Sequence, residues 1–405
     1  MNDVIVIGCG GVGLGLAVAL ASRGSRVLGV DTDRARVDLL TSGVTGEDPE
    51  LAGALQAAMA TGRLAFATAP DAGARAWVIA VPTPVGADHR LDERPLLAAL
   101  ETVLVHARPG DLVAVRSTVP VGHTRKLAAL AAGRGLLFAA CPDRTLAGAA
   151  FGEQLTVPQV AGGVDDAAGA AAARLLGTVG EVTLVRSPEA AETLKLFANC
   201  WRDAQFALAN EMAMYCEAVG VDFDEVRLAG SMGYARFAPP RPGPVGGPCL
   251  TKDVHLLAQS AGAPLFVAAR AANERLADHV AAQALEAAGA QPGPARIAVL
   301  GLAFKGDPPV SDRRGSFGEG LLARLRGMLP GAAVIGWDPV GAPGEGLAAT
   351  RGAHVVILAN DHPALAEPGL LDRCAPDAVV LDLCGLARTM RPDLRIRRLG
   401  RGGPR

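Results

Sequence analysis

The sequence of 405 residues lacks a long hydrophobic run. Charged residues interrupt each apolar stretch before it reaches about 18 residues, the length that a membrane-spanning helix needs. It also lacks a basic segment followed by an apolar one at its start, because residues 1–3 lead directly into a short apolar stretch. We therefore expect no membrane segment and no secretory signal, and we expect a cytoplasmic location.

The chain also has little excess charge and few cysteines. Its 39 basic and 41 acidic residues give a net charge of −2, which offers no electrostatic attraction for nucleic acid or an anionic membrane. Its seven cysteines are odd in number and include no C-x-x-C pair, which argues against a disulfide framework or a zinc knuckle. We expect no metal site. The length predicts two or three globular domains.

The first part of the chain alternates apolar runs with helical patterns. An apolar run at residues 4–7 is followed by a glycine cluster, a helical pattern over residues 14–21 and a second apolar run at residues 26–30. Further strands are predicted at residues 76–80, 112–115 and 136–139. This order predicts a parallel α/β sheet. The turns after these three strands should line one cleft, because ligands bind at the carboxyl ends of the strands in such sheets.

The rest of the chain changes from helical patterns back to alternating ones. Residues 189–219 and 265–288 predict long helices, and a Pro/Gly-rich loop at residues 239–248 interrupts this region. A Pro/Gly linker at residues 289–294 precedes further strands, which are predicted at residues 297–300, 333–337, 355–358 and 379–383. The sequence thus predicts an α/β protein with two Rossmann-like, doubly wound parallel-sheet domains joined by a central helical domain. The predicted divisions are residues 1–187, 188–288 and 289–399, with a tail at residues 400–405.

A glycine turn follows the first predicted strand and opens a helix. It consists of Gly8, Cys9, Gly10, Gly11, Val12 and Gly13, and it fits G-x-G-x-x-G. Such glycines permit a tight turn and the close approach of a pyrophosphate to the helix N-terminus. Asp31 ends the second predicted strand, where a carboxylate can bind ribose hydroxyls and repel a 2′-phosphate. We therefore expect NAD rather than NADP; a purely structural turn with a surface Asp31 is the alternative.

A second group of candidate residues lies in the middle of the chain. Cys249 follows a Gly-Gly-Pro turn at the start of a predicted helix, where backbone N–H groups stabilise a thiolate, and Asp253 lies one turn later. The other six cysteines are interpreted as small core residues, which is also the alternative for Cys249. Lys195 and Asn199 are four residues apart on a predicted helix and can together donate hydrogen bonds to an oxyanion. A solvated lysine is the alternative there.

In this order, the motifs resemble those of the UDP-glucose/GDP-mannose 6-dehydrogenase family. The resemblance rests on the glycine turn with Asp31 and Arg36, on Lys195 with Asn199, and on the segments at residues 81–84 (VPTP), 117–122 (STVPVG), 246–253 (GGPCLTKD) and 301–305 (GLAFK). It implies an N-terminal NAD-binding domain, a helical dimer-forming centre and a C-terminal UDP-binding domain. A UDP-sugar substrate and a homodimer are therefore expected, with neither nucleic acid nor membrane as a partner.

The resemblance also implies a double oxidation. The C6 hydroxymethyl group of the sugar becomes an aldehyde, which a cysteine captures as a thiohemiacetal; a second oxidation gives a thioester, and water releases the uronate. By position, the resemblance makes Cys249 the nucleophile. It implies that Lys195 and Asn199 stabilise the oxyanion and that Asp253 and Thr118 help to order the catalytic water.

Further residues are assigned to binding by the same resemblance. The cofactor residues are those of the glycine turn with Asp31, Arg36, Pro82, Thr83, Ser117, Thr118 and Arg314. The substrate residues are Arg144, Lys195, Asn199, Gly243, Gly246, Gly247 and Lys305. Residues 142–148 (PDRTLAG), together with residues 305–308 (KGDP) and 312–316 (DRRGS), favour the N-acetylhexosamine branch, with UDP-N-acetyl-D-mannosamine or UDP-N-acetyl-D-glucosamine as substrate. UDP-glucose is the alternative.

Two residues depart from the family pattern. Asp143 stands where the family has a water-activating Glu, and Ala147 stands where it has a second Glu. Because Asp143 is one methylene shorter, we expect thioester hydrolysis to limit turnover; the alternative is a shifted loop that brings Asp143 to the right distance. Two other functions stay open: a two-electron dehydrogenase of the 3-hydroxyacid type, and a binding protein that has lost catalysis. The number of NADH formed per sugar distinguishes these readings, since it would be two, one or none.

Overall fold

The computed structural model describes residues 2–45, 49–289, 294–341, 345–389 and 391–401. Most of the predicted linker at residues 289–294 and of the tail at residues 400–405 therefore lies outside the described residues. The chain divides into two compact units. Unit 1 comprises Met1–Ala198 and His255–Gly262, and unit 2 comprises Asn199–Val254 and Ala263–Arg405. The three-domain division stays a prediction.

Unit 1 contains, within the described residues, an eight-stranded sheet with the strand order β3-β2-β1-β4-β5-β6-β7-β8. The first six strands follow the order of a dinucleotide-binding Rossmann fold. The strands are β1 (Asn2–Ile7), β2 (Val27–Val30), β3 (Leu64–Ala67), β4 (Ala74–Ile79), β5 (Leu112–Val115), β6 (Leu137–Ala140), β7 (Gln159–Gly163) and β8 (Val182–Val185). The helices are α1 (Gly11–Ser22), α2 (Arg34–Thr41), α3 (Pro49–Ala60), α4 (Arg94–His106), α5 (His123–Leu130), α6 (Ala150–Thr156) and α7 (Asp166–Leu176).

Helices cover both faces of this sheet, which explains why its central strands are continuous apolar runs. Leu14 and Leu20 of α1 join one core cluster, and Leu96 and Leu127 of α4 and α5 join the cluster on the other face. The five strands predicted in this region are confirmed within one or two residues of their ends.

The sheet differs from the prediction at one pair of strands. All neighbouring strands of this sheet that the structure describes pair parallel except β6 and β7. These two pair antiparallel, with Ala139 opposite Gly163 and Ala140 opposite Gly162. Strands β3, β7 and β8 were not predicted. Strand β7 contains two glycines and a glutamine, so it carries little apolar signal, and β3 and β8 are short strands at the sheet edges.

Unit 2 combines long helices with a second, fully parallel sheet. Helix α8 (Pro188–Val219) begins in unit 1 and continues in unit 2, whereas α10 (Leu250–Ala261) begins in unit 2 and ends in unit 1. The other helices of unit 2 are α9 (Phe223–Ser231), α11 (Pro264–Gly289), α12 (Phe317–Met328) and α13 (Gly346–Thr350). The strand order is β10-β9-β11-β12-β13. The strands are β9 (Arg296–Leu300), β10 (Ala333–Trp337), β11 (Val355–Leu358), β12 (Val379–Asp382) and β13 (Arg395–Arg398).

The predictions for this region are confirmed for the two long helices and for four of these strands. Strand β13 was missed, because its sequence Arg-Ile-Arg-Arg has only one apolar residue and lies at the edge of the sheet. Over the part of the chain that the structure describes, no helix has the length and apolar character needed to span a bilayer.

Candidate active site

The predicted glycine turn lies between β1 and α1. Gly8 has a φ of +93°, and a Cβ on Gly13 would lie 1.8 Å from the carbonyl oxygen of Gly8, so the backbone closes tightly there. A Cβ on Gly10 or Gly11 would meet nothing within 4 Å, and Gly10, the N-cap residue of α1, has no side chain to cap the helix. The first N–H groups of α1 therefore border open space, which is the arrangement that binds a pyrophosphate.

Asp31 follows β2 and holds this turn. Its two carboxylate oxygens accept hydrogen bonds from the backbone N–H groups of Cys9 (2.8 Å) and Asp33 (3.0 Å). Arg36 donates from Nε to the carbonyl oxygen of Cys9 (3.2 Å). Each carboxylate oxygen can accept a further hydrogen bond, so Asp31 can hold the turn and also bind ribose hydroxyls. The residues present thus fit a bound NAD.

The loops after β4 and β5 are tied together by Ser117. Its N–H and hydroxyl donate to the carbonyl oxygens of Ile79 (3.0 Å) and Val81 (2.7 Å) respectively. Val81 leads into Pro82 and Thr83, and Thr83 is buried. The structure therefore brings together the predicted cofactor residues of these two loops.

A small pocket lies beside these loops. Its lining includes Ser117, Thr118, Pro142, Glu192 and Lys195. Lys195 is half-buried. This favours the interpretation of Lys195 as a site residue over the alternative of a lysine that is fully solvated. Thr118 and Lys195, which were predicted from separate motifs, share this pocket.

Glu192 is a residue of this pocket that sequence reasoning missed. Its carboxylate oxygens accept hydrogen bonds from the backbone N–H groups of Gly122 (2.6 Å) and Thr124 (2.8 Å), at the start of α5. Burial raises the pKa of Glu192 above its ordinary value, although these hydrogen bonds oppose the effect. Glu192 therefore joins α8 to the loop that carries Thr118. Its position one turn before Lys195 was the available signal.

Asp143 is held in a buried polar network. Arg116 donates from Nη2 to Asp143 Oδ1 and to Gln154 Oε1 (2.8 Å each), and from Nη1 to Gln159 Oε1 (2.9 Å). Gln154 also donates to Asp143 Oδ1 (2.8 Å), and the Thr145 hydroxyl donates to Asp143 Oδ2 (2.8 Å). Both carboxylate oxygens of Asp143 are therefore engaged.

The charge of Asp143 is balanced by this network. Burial acts to raise the pKa of the carboxyl group, but Arg116, Thr145 and Lys195 outweigh it and hold the pKa below its ordinary value. Arg116 was missed as a site residue, although a charged residue directly after a buried strand was a usable signal. Arg144 and Ala147, in the same loop, are exposed, and Arg144 donates to the carbonyl oxygen of Pro158 (3.4 Å).

In unit 2, Cys249 is exposed and lies directly before α10. Its carbonyl oxygen accepts the N–H groups of Lys252 (3.2 Å) and Asp253 (3.0 Å), which begin the helix. The cysteine thus lies at a helix N-terminus, where a thiolate is stabilised.

The remaining cysteines are core residues, as interpreted from the sequence. Five are buried and Cys384 is half-buried, so Cys249 is the one exposed cysteine among the seven, all of which are described. Burial raises the pKa of Cys141 and that of Cys200 to about 12, which keeps both as unreactive thiols near neutral pH.

The loop before Cys249 contacts the segment around Gly315. Gly247, with a φ of +98°, donates its N–H to the carbonyl oxygen of Gly315 (2.9 Å), and a Cβ on Gly246 would lie 2.6 Å from that oxygen. The ring of Phe304, next to Lys305, is so close to Gly247 that a Cβ there would lie 2.6 Å from it. The predicted residues Gly246, Gly247 and Lys305 therefore lie in adjoining segments.

Arg314 belongs to the same region of unit 2. Its guanidinium forms a two-pronged ion pair with Asp312, the shortest contact being 2.6 Å. This pairing is the main cause that raises the pKa of Arg314, and Cys249 adds a smaller contribution. Arg314 directly precedes Gly315, which contacts the loop before Cys249, while its predicted contact with the cofactor stays a prediction.

Asp253 orients Asn199. Asn199 donates from Nδ2 to Asp253 Oδ2 (2.6 Å), and Lys252 donates from Nζ to Asp253 Oδ1 (2.6 Å). Asp253 is buried, so these partners satisfy its charge. The second N–H of the Asn199 amide can still donate to an oxyanion.

Comparisons with known proteins agree with these motifs. The sequence model described as "UDP-glucose/GDP-mannose dehydrogenase family, NAD binding domain" matches residues 2–179, and that described as the central domain of the family matches residues 189–275. The chain belongs to this family. It is therefore an NAD-dependent oxidoreductase of the nucleotide-sugar dehydrogenase type.

Individual relatives agree with the family match. A UDP-N-acetyl-D-mannosamine dehydrogenase of Pyrococcus horikoshii is 32% identical over 380 residues, which cover 89% of each chain. The enzyme of that name from Escherichia coli K12 is 35% identical over 340 residues, covering 77% of this chain and 80% of its own. A solved structure of the P. horikoshii UDP-D-ManNAc dehydrogenase matches with a TM-score of 0.88 and 30% identity, over 98% of this chain and 99% of that one.

Proposed function

We propose that this member of the family oxidises the C6 hydroxymethyl group of UDP-N-acetyl-D-mannosamine to a carboxylate. The observation that carries this proposal is the exposed Cys249 at a helix N-terminus, in a chain whose other cysteines are buried or half-buried. The sugar is proposed from the names of two relatives and from the loop at residues 142–148. UDP-N-acetyl-D-glucosamine and UDP-glucose are the competing substrates.

The NAD would be held by the glycine turn and Asp31. The N-terminus of α1 would bind the pyrophosphate, and Asp31 would accept hydrogen bonds from the ribose hydroxyls. Bound NAD supplies the hydride acceptor for both oxidations.

Cys249 is proposed to carry the sugar between the two oxidations. The C6 alcohol first loses a hydride from carbon and a proton from oxygen, which leaves an aldehyde. The thiolate of Cys249 adds to the aldehyde carbon, and Lys195 and Asn199 donate hydrogen bonds to the oxygen that gains the negative charge. Loss of a second hydride from the same carbon leaves a thioester.

Hydrolysis then frees the cysteine. Water adds to the thioester carbon, the carbon–sulfur bond breaks, and the sulfur departs as the thiolate; the carboxylate keeps one oxygen from water, and the two protons of that water pass to solvent. We propose that Thr118 and Asp253 order this water. Asp253 also holds the amide of Asn199, so its loss should impair the donor as well.

A homodimer is proposed from an apolar stripe on α8. Trp201, Leu208, Tyr215 and Val219 are exposed and follow one another at intervals of seven, seven and four residues, which places them on one helix face. Contiguous exposed apolar surface of this kind marks interaction sites. Light scattering should show a dimer that Leu208→Glu converts to a monomer; a monomeric unmodified protein would contradict the proposal. The cytoplasmic location stays a prediction.

A substrate panel with two cysteine variants tests the proposal. Purified protein is incubated with NAD and, in separate reactions, each of the three UDP-sugars, and the products are identified by mass spectrometry. We expect uronate from UDP-N-acetyl-D-mannosamine. Cys249→Ser should bind NAD and the UDP-sugar but form no uronate, because a serine alkoxide is far less accessible than a thiolate near neutral pH.

The matched control is Cys374→Ser, which changes a cysteine buried in a core cluster of the second sheet and should retain turnover. Turnover by Cys249→Ser at the unmodified rate would remove the covalent mechanism. Uronate from a different UDP-sugar would change the proposed substrate but not the chemistry.

A further inference from the structure

A chain of buried polar side chains on α8 and α11 ends at the loop that precedes Cys249. It contains Asp203 and Asn210 from α8 and Arg270 and Asn273 from α11, and all four residues are buried in unit 2. The family motifs quoted above include none of these residues.

Hydrogen bonds connect the chain from end to end. Arg270 Nη1 donates to Asp203 Oδ1 (2.7 Å), and Asn273 Nδ2 donates to the same carboxylate oxygen (2.9 Å) and to the Asp203 carbonyl oxygen (2.8 Å). Asn210 Nδ2 donates to Asn273 Oδ1 (3.0 Å). At the loop, Asn210 Nδ2 donates to the Gly243 carbonyl oxygen (3.0 Å) and Asn210 Oδ1 accepts the Gly243 N–H (2.8 Å).

The carboxylate at one end sets the orientation of both amides. A carboxylate paired with arginine only accepts hydrogen bonds, so Asn273 must turn its NH₂ group toward Asp203 and its oxygen toward Asn210. Asn210 must then turn its NH₂ group toward Asn273, which leaves its oxygen for the N–H of Gly243. The amide of Asn210 thereby binds both backbone polar groups of Gly243, which determines the position and the direction of that peptide.

The loop has few means of holding itself. Five of its ten residues, at positions 239–248, are prolines and have no N–H group to donate. Two hydrogen bonds fix the loop, from the Gly243 N–H to Asn210 and from the Gly247 N–H to the Gly315 carbonyl oxygen (2.9 Å). Only three residues lie between these two fixed points: Pro244, Val245 and Gly246. Cys249 follows two residues after the second fixed point.

We propose that Asn210 is a positioning residue for Cys249, with Asn273 as the residue that orients it. The proposal rests on the role of Cys249 in the proposed function. Asn210 acts on the reaction through the loop, by fixing the place from which the thiolate attacks. A misplacement of a reacting atom by about 1 Å costs on the order of 100-fold in rate. Asn210→Ala should therefore lower kcat by about 100-fold, with little change in the KM for NAD.

The test compares Asn210→Ala with Thr350→Val, a matched loss of a buried hydrogen-bonding side chain. Thr350 lies on α13, is buried in unit 2 and donates to the Leu370 carbonyl oxygen (2.8 Å). For both variants we would measure kcat, the unfolding temperature, and the rate at which iodoacetamide alkylates Cys249, located by peptide mass spectrometry. Because Cys249 is the one exposed cysteine, the alkylation rate reports on its surroundings without requiring any substrate.

We expect Asn210→Ala to change the alkylation rate of Cys249 at least several-fold and to lower kcat at temperatures well below its unfolding. Thr350→Val should change neither, whatever its effect on the unfolding temperature. An unchanged alkylation rate and kcat in folded Asn210→Ala, or equal losses in both variants, would overturn the proposal. If the unmodified protein oxidises no UDP-sugar, the alkylation comparison still decides the positioning role.

A second variant covers the case in which Asn210→Ala does not fold. Asn273→Ala keeps the bonds between Asn210 and Gly243 but removes the partner that orients them. It should shift the alkylation rate and kcat in the same direction by a smaller factor. Unmodified values of both in Asn273→Ala would overturn the proposal in that case.

Discussion

Replacing Asp143 by Asn should destabilise unit 1 strongly. The substitution preserves the shape of the side chain but removes the negative charge that faces Arg116 at 2.8 Å, and both side chains are almost fully buried. Removing one partner of such a pair lowers the free energy of unfolding by about 3–5 kcal/mol, because the other charge stays buried without a partner. For a unit of roughly 200 residues each kcal/mol lowers the melting temperature by about 2–4 °C, so we expect a fall of about 6–20 °C.

The difference in melting temperature between the unmodified protein and Asp143→Asn should depend on pH in a defined direction. The pKa of Asp143 lies below its ordinary value in the folded protein, so its stabilisation is present above the unfolded pKa of about 3.9 and is lost as the pH falls through the folded value. The difference between the two melting temperatures should therefore stay constant from about pH 8 to pH 5 and become smaller at lower pH.

Asp92→Asn is the matched control for this prediction. Asp92 also pairs with an arginine, Arg94, at 2.6 Å, but that pair lies at the surface and should change the melting temperature little. The account of a buried, charge-balanced Asp143 is wrong if Asp143→Asn has the melting temperature of the unmodified protein at pH 7. It is also wrong if the difference between the two melting temperatures grows as the pH is lowered.

The same network bears on thioester hydrolysis. A shorter carboxylate at this position suggests slow hydrolysis, yet Asp143 is engaged on both oxygens by Arg116, Gln154 and Thr145. One extra methylene group in such a packed interior lowers the free energy of unfolding by about 1–3 kcal/mol, because neighbouring groups must shift to make room for it. Asp143→Glu should therefore slow turnover, and intact-protein mass spectrometry should find little acyl-enzyme on Cys249. Faster turnover by the variant, with an adduct accumulating in the unmodified protein, would establish slow hydrolysis instead.

Two further predictions concern the dinucleotide site. Gly13→Ala should lower the melting temperature, because its Cβ would lie 1.8 Å from the Gly8 oxygen, whereas Gly10→Ala should melt normally and mainly weaken NAD binding in titration calorimetry. Equal melting temperatures for the two variants would contradict this packing. Asp31→Ala should narrow the preference for NAD over NADP in kcat/KM, since it removes the charge that repels a 2′-phosphate; equal kcat/KM for both cofactors in the unmodified protein would refute that role.

The features that the sequence predicted are local ones. Strand β1 was found because an apolar run ends at Gly8, and Asp31 because its spacing from the glycine turn is characteristic of the fold. Lys195 and Asn199 were placed on one helix face by their spacing of four residues. In each case a short segment carries the whole signal.

The features that were missed depend on residues that are distant in the sequence. Arg116 contacts Gln159 from 43 residues away, and Asn210 contacts Asn273 from 63 residues away, so no spacing within a segment shows either network. The antiparallel pairing of β6 and β7 was missed for a related reason, because strand direction depends on the path of the intervening chain. Polar networks inside the fold thus required the structure.

The most direct test of the central claim is the number of NADH molecules formed for each UDP-N-acetyl-D-mannosamine consumed. The unmodified protein is allowed to exhaust a known amount of the sugar nucleotide in excess NAD, and NADH is read from its absorbance. A four-electron oxidation through Cys249 predicts two NADH per sugar, with the uronate as the product. One NADH per sugar, with an aldehyde or ketone as the product, would contradict the account.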